Sequence, residues 1–327
     1  MKEKINNQPL LEIDKLVKYF PVIGSDRVIQ AVNDVSFKVN KGQTIGLVGE
    51  SGSGKTTVGR CVAKLTPVTG GKIIFRGEEI SKMREKDFKD FRRNVQMVFQ
   101  QPFDSLNPAY TAFETISEPL LLYVVEKENN KITELVLDIM DQVHLDPRYL
   151  RSYPFELNSG AQQRLSIARA IATKPDLIIL DEATSMLDLS IRAEIIDLLI
   201  SLQEKLHIAY IFISHDLTTV EYICHYVAVM YLSQIVEYGL VDQVFNNPKH
   251  PYSKALLSSA LPPNPIIKRS AYLIQGEIPS PVDLPIGCFL ASRCPEIKPD
   301  CKKNQQILQN IGSDHFVRCW RVINGEI

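Results

Sequence analysis

Eight consecutive residues, Gly49-Glu50-Ser51-Gly52-Ser53-Gly54-Lys55-Thr56, have the types and spacing needed to grip a polyphosphate. They satisfy the pattern G-x-x-x-x-G-K-S/T at every fixed position. The chemistry is mostly main-chain. Successive N–H groups must curl round phosphate oxygens, and Gly49, Gly52 and Gly54 supply the close approach or the positive φ that such a curl requires. Lys55 places a positive charge on the terminal phosphates, and Thr56 offers a hydroxyl to Mg²⁺. Ser51, Ser53 and Thr57 complete the candidate nucleotide-binding set. A nucleoside triphosphate is the natural occupant, and the loop does not choose between ATP and GTP.

Such a loop works only between a strand and a helix. The apolar run Thr44-Ile45-Gly46-Leu47-Val48 precedes it, and Thr57-Val58-Gly59-Arg60-Cys61-Val62-Ala63 follows. The helix would point its N-terminal N–H groups and positive dipole end at the same anion. A second apolar run, Leu177-Ile178-Ile179-Leu180, reads as a central parallel strand and ends in Asp181-Glu182. A carboxylate at the tip of a buried strand is costly unless it holds water or a cation. Beside a phosphate loop, Asp181 would bind Mg²⁺ and Glu182 would polarise an attacking water. Ile208–Ile213 reads as another buried strand delivering Ser214-His215-Asp216, and a strand-tip His215 can donate to the γ-phosphate.

The remaining chain frames these pieces. Residues 10–17 and 28–39 alternate apolar and polar as strands do, and Tyr19-Phe20-Pro21 reads as a break between strands where an aromatic ring can stack on a purine. Gly70–Gly77 reads as a hairpin strand, Lys82–Arg93 as a charged helix, and Val95–Phe99 as a buried strand leading to Gln100-Gln101-Pro102. From about Ala112 to Asp146 the periodicity is helical, with Leu135, Ile139 and Val143 on one face. Ala161–Thr173 is a further amphipathic helix, stopped by Lys174-Pro175.

Taken in order, these motifs resemble the ATP-binding subunits of ABC transporters. The residues that carry the resemblance are the phosphate loop, Gln100, Tyr153-Pro154-Phe155-Glu156-Leu157, Gln163-Arg164-Leu165-Ser166, Leu180-Asp181-Glu182-Ala183-Thr184-Ser185, Leu187-Asp188 and His215. The resemblance spans residues 10–245. It implies an α/β phosphate-loop NTPase with a RecA-like core, an antiparallel β subdomain and a helical subdomain over about residues 102–172. It also implies a head-to-tail dimer with ATP between one phosphate loop and the other subunit's signature. In that scheme Gln100 senses the γ-phosphate and joins Thr56 and Asp181 around Mg²⁺. Asp188 lies at the dimer seam, and Phe20, with Tyr19 as second choice, stacks on adenine.

The signature departs from the family's L-S-G-G-Q. Without gaps it is Leu157-Asn158-Ser159-Gly160-Ala161, and a shift by one to Asn158–Gln162 demands a deletion before Gln163. Either way a glycine is lost, which weakens a main-chain contact to a γ-phosphate. The expectation is a heterodimer in which a second, non-identical ATPase subunit supplies the better signature. A soluble or regulatory ATP-binding module with little hydrolysis is the competing reading, opposed by intact Glu182 and His215.

Length and composition set outer bounds. The 327 residues allow about two domains, and 45% hydrophobic content can fill their cores. A net charge of −1 argues against bulk nucleic acid as the main partner. The N-terminus has no apolar signal core, and no run approaches about 18 apolar residues. The expected location is therefore the cytosol or the cytoplasmic face of the cell membrane, held there by a partner that spans it.

Beyond residue 245 the composition turns to prolines and loops. His250-Pro251-Tyr252-Ser253-Lys254-Ala255-Leu256-Leu257 resembles the C-terminal extension of oligopeptide and dipeptide importer ATPases. That resemblance implies two transmembrane permease subunits as partners and, indirectly, an extracytoplasmic solute-binding protein. Cys61 and Cys224 read as buried hydrophobes, while Cys288, Cys294, Cys301 and Cys319 cluster near the C-terminus. Four thiolates on irregular loops suit an iron–sulfur cluster or a structural Zn²⁺. The subfamily resemblance favours a 4Fe–4S cluster, with unligated thiols or a structural Zn²⁺ as the alternatives.

Overall fold

The computed structural model describes residues 8–123, 129–259 and 272–327, which form two compact units. The first unit comprises described residues within 1–40, 44–82 and 214–327, and the second 41–43 and 83–213.

The first unit opens with β1 (Leu11–Pro21), β2 (Val28–Val39), β3 (Thr44–Val48), α1 (Lys55–Val62), β4 (Gly70–Phe75) and β5 (Glu78–Glu79). An antiparallel sheet runs in the order β2-β1-β4-β5. Alternation places Leu11, Ile13, Leu16, Val35 and Phe37 in its core. Tyr19-Phe20-Pro21 is not a break: it is the end of β1, where Phe20 faces Ile29 and Pro21 faces Val28. A proline is tolerated there because it terminates the strand.

The second unit contains α2 (Phe88–Asn94), β6 (Val95–Val98), α3 (Pro102–Ser105), α4 (Ala112–Tyr123), α5 (Asn129–Gln142), α6 (Ser159–Ile171), β7 (Leu177–Asp181), α7 (Leu189–Leu206) and β8 (Ala209–Ile213). β7 pairs in parallel with both β6 and β8, and every residue of β7 and β8 is buried. That two-sided burial is the reason Leu177–Leu180 and Ala209–Ile213 carry no charged side chain. The expected helix over 82–93 starts only at Phe88, behind a 3-10 turn at Glu85–Asp87, because Phe91 is the helix's one buried anchor. The expected helical stretch from Ala112 to Asp146 is two helices, and residues 124–128 of it lie outside the described residues. α6 begins two residues ahead of the expected start because Asn158 caps it.

The chain then returns to the first unit through α8 (Leu217–Ile223), β9 (Tyr226–Tyr231), β10 (Gln234–Leu240), α9 (Val241–Asn246), α10 (Pro251–Ser259), β11 (Gln309–Asn310), β12 (Phe316–Val317) and α11 (Trp320–Ile323). β9 lies parallel to β3, and β9 and β10 form a hairpin through Leu232 and Ser233, whose φ of 42° and 72° give the paired left-handed geometry that matches strand twist. The region expected to be loops therefore carries two helices, and its last strand pairs with β10 through Glu237–Val317 and Tyr238–Phe316. Buried Arg318 fastens this segment by donating to the carbonyls of Ile235, Gln306 and Asp34 and to Asp34 Oδ2. Among the described residues no helix is long and apolar enough to cross a membrane.

Candidate nucleotide-binding and hydrolysis site

Two glycines fix the loop's shape. Gly49 has φ of 147° and Gly54 has φ of 101°; a Cβ would stand 2.0 Å from the Met230 carbonyl oxygen at the first and 2.2 Å from that of Ala31 at the second. No other residue fits either position without moving a strand. Gly54 also starts α1 with no side-chain cap and no acid in the first turn, which leaves the helix's positive end undisguised toward an anion. Lys55 is only 6% exposed, and its Nζ lies inside the curl, donating to the carbonyls of Gly49 (2.9 Å) and Glu50 (3.0 Å) and to Ser53 Oγ (3.4 Å). Ser53 is buried, Thr56 and Thr57 are half-buried on the first turn of α1, and Ser51 and Gly52 form the exposed crest.

His215 belongs to the first unit and is exposed; Asp216, beside it, caps α8 through the N–H groups of Thr218 and Thr219. Phe20 is exposed at the end of β1 with Lys18 Nζ 4.6 Å from its ring centroid, and Tyr19 is half-buried with its N–H donating to Thr69 Oγ1.

The second unit gathers the acids. Asp181 ends β7 at 4% exposure, and Glu182 follows with φ of 48°, a left-handed conformation rare for a non-glycine residue. That bend is held by the Glu182 N–H donating to Ile213 (2.9 Å) and by Ser185 Oγ donating to the Glu182 carbonyl. Gln100, exposed beyond β6, donates through Nε2 to Glu182 Oε2 at 2.9 Å. Asn158 caps α6 by accepting from the Ala161 N–H at 2.8 Å. Ser159 is exposed, and Gly160 is buried where a Cβ would press to 3.0 Å on Ile191. Asp188 caps α7, and the Ile191 N–H and Ser190 hydroxyl it accepts hold its carboxyl below the usual range.

Sequence reasoning missed what surrounds the loop. Tyr252 Oη accepts the Glu50 N–H at 3.0 Å, and Arg293 grips the Glu50 carboxylate with both terminal nitrogens. The His250-Pro251-Tyr252 run is explained here as well. The N–H groups of Lys249 and His250 donate to fully buried Glu237, Pro251 opens α10, and Tyr252 reaches the loop.

Cys288, Cys294, Cys301 and Cys319 line one cavity, together with Trp320, whose Nε1 is buried without an acceptor. Burial pushes the Cys288 thiol up to about 12 and that of Cys294 up to about 11, so both stay protonated until a cation displaces the proton. In kind, the donors suit a thiophilic metal group. Their placement does not reach that far: among the described residues no three His, Cys, Asp or Glu side chains are arranged to hold an ion. The geometry therefore lends the expected 4Fe–4S cluster or Zn²⁺ no support beyond the shared cavity.

A phosphate loop on a strand–helix junction, with an Asp-Glu pair at the tip of a parallel strand, defines a phosphate-loop NTPase. The sequence profile of the ABC transporter family matches residues 32–185, and that of the oligopeptide/dipeptide transporter C-terminal region matches residues 236–301. The chain is 41% identical to the oligopeptide transport ATP-binding protein AppF of Bacillus subtilis (strain 168), covering 96% of this chain and 98% of that one. It is 39% identical to the dipeptide transport ATP-binding protein DppF of Escherichia coli (strain K12), covering 99% and 98%. In fold it is similar to the ATP-binding cassette MJ0796, in a dimeric post-hydrolysis state bound to ADP and Pi, with a TM-score of 0.65 and 24% identity over 71% of this chain and 98% of that one. The chain belongs to the ABC transporter ATP-binding proteins, in the oligopeptide and dipeptide branch, and is an ATPase of that class.

Proposed function

We propose that this chain hydrolyses ATP to power import of peptides, or of a related small solute, through a membrane-embedded transporter. The observation that carries the reading is near-full-length similarity to oligopeptide and dipeptide transport ATP-binding proteins, joined to an unbroken phosphate loop and an intact Glu182. The loop's N–H groups and Lys55 hold the β- and γ-phosphates, and Phe20 or Tyr19 stacks on the adenine. Mg²⁺, when bound by Thr56, Gln100 and Asp181, neutralises charge on the phosphate oxygens. Glu182 orients a water whose oxygen attacks the γ-phosphorus as the bond to the bridging oxygen breaks, giving ADP and phosphate. His215 donates a hydrogen bond to the γ-phosphate as charge builds there. Lys55→Ala in the reconstituted transporter tests the reading; nucleotide affinity and ATP-driven peptide uptake should both be lost, and retention of both would overturn it.

The assembly is a pair of ATP-binding subunits on the cytoplasmic face of the membrane, joined to two permease subunits. The partner ATPase is non-identical and supplies the better signature, because Asn158, Ser159 and Ala161 replace family residues in this chain's own, and Asp188 is read as lying at the seam between the two. Full-rate hydrolysis by this chain alone would remove that part.

The four cysteines are read as ligands of a 4Fe–4S cluster, with Zn²⁺ as the alternative, supported by their convergence on one cavity. Iron and acid-labile sulfide in anaerobically purified protein test it, and a colourless protein with stoichiometric zinc selects the alternative.

A further inference from the structure

Glu50 is the acidic residue within the phosphate loop Gly49–Thr56. A negative charge beside a triphosphate costs binding free energy unless it is neutralised. Here the neutralising group comes from the far end of the chain. Arg293 Nη1 lies 3.0 Å from Glu50 Oε2, and Nη2 lies 3.3 Å from Oε1, a two-pronged grip with the arginine side chain only 10% exposed. Arg293 is itself held, since its Nε donates to the Gly276 carbonyl at 3.1 Å and Nη1 to Tyr231 Oη at 3.4 Å. The same stretch of the loop is pinned a second time, by the Glu50 N–H donating to Tyr252 Oη at 3.0 Å. Tyr252 and Tyr231 are both buried and pack ring to ring with centroids 4.6 Å apart. The Glu50 carbonyl, in turn, accepts from the Lys55 ammonium.

One loop residue thus joins the phosphate-gripping lysine to two side chains of the C-terminal segment. We propose that Arg293 and Tyr252 are positioning residues for nucleotide binding. Arg293 cancels the Glu50 charge while Tyr252 fixes the loop's main chain, so the C-terminal segment sets the affinity of the phosphate loop for ATP. The inference rests on the ATP-binding reading above.

The test is titration of the full chain with Mg²⁺ and a slowly hydrolysed ATP analogue. The wild type should bind, and absence of binding would overturn the ATP reading itself. Arg293→Ala should weaken affinity roughly tenfold by leaving the carboxylate uncompensated. Arg293→Lys should recover part of the loss. The decisive variant is Glu50→Gln combined with Arg293→Ala, which should return affinity to near the wild-type value because the charge conflict is gone. A merely structural arginine would show no such rescue. Wild-type affinity in Arg293→Ala, or no rescue in the double variant, would overturn the proposal. If Arg293→Ala fails to fold, Tyr252→Phe keeps the ring packing and deletes only Oη. A several-fold loss of affinity in that variant is then expected, and none would count against the proposal.

Discussion

Gln100 donates its amide N–H to Glu182 Oε2 at 2.9 Å, so the strand-tip acid that would orient the attacking water is itself oriented by a neighbouring amide. Glu182→Gln keeps the shape and removes the charge. Hydrolysis should fall by roughly 10²- to 10⁴-fold while ATP binding persists. Single-turnover hydrolysis measured alongside nucleotide affinity separates the two effects; undiminished turnover would remove Glu182 from the chemistry.

Gly49→Ala puts a Cβ 2.0 Å from the Met230 carbonyl, a contact that neither β9 nor the loop can relieve cheaply. The variant should lose about 1–3 kcal/mol of stability and most of its nucleotide affinity. Gly52→Ala is the informative comparison, because nothing lies within 4 Å of the Cβ it adds. Denaturant midpoints should therefore rank wild type above Gly52→Ala and Gly52→Ala above Gly49→Ala.

Arg318→Met should cost on the order of 3 kcal/mol, since it strips donors from three carbonyls and leaves Asp34 without its guanidinium partner. Chemical denaturation reads this directly. A loss within about 0.5 kcal/mol would mean the carbonyls are rehydrated without penalty.

His225 accepts the Thr44 N–H through Nδ1 at 3.0 Å at the base of the phosphate-loop strand, and burial lowers its pKa from the ordinary histidine value. The sign follows from the fold's preference for the neutral ring. Its contribution is whole above the unfolded-state pKa of about 6.5 and is lost as the pH falls from there toward the folded value. Because the ring is half-exposed the effect is small. Between about pH 7.5 and about pH 5.5 the wild type should lose more stability than His225→Asn, which keeps an acceptor without the titration. Equal slopes would show that folding leaves the ring's pKa unchanged.

The strand–loop–helix around Gly49–Thr56, the strand-tip position of Asp181 and Glu182 and the buried parallel strands were legible because their local geometry dictates residue type over a few adjacent positions. Gly49 cannot be replaced, and Leu177–Leu180 has no polar member because both its faces are covered. Asn158 was legible only as a departure from the family pattern, yet in the fold it caps α6 through the Ala161 N–H, a task asparagine performs as well as serine. Tyr19 and Phe20 were misplaced because Pro21 reads as a breaker, whereas it stands at the last rung of β1. The grip on Glu50 could not be read at all. Its partners Tyr252 and Arg293 lie 202 and 243 positions away, and no local periodicity encodes a bond of that span.

The pairing of β12 with β10 makes the C-terminal segment a shield. Cutting the chain near residue 245, where the composition changes, would strip a row of main-chain donors and acceptors along Glu237 and Tyr238 of their partners. A bared sheet margin of this kind recruits strands from other molecules. A shortened cassette would therefore be expected to self-associate, and the loop-rich tail doubles as the molecule's protection against its own sheet.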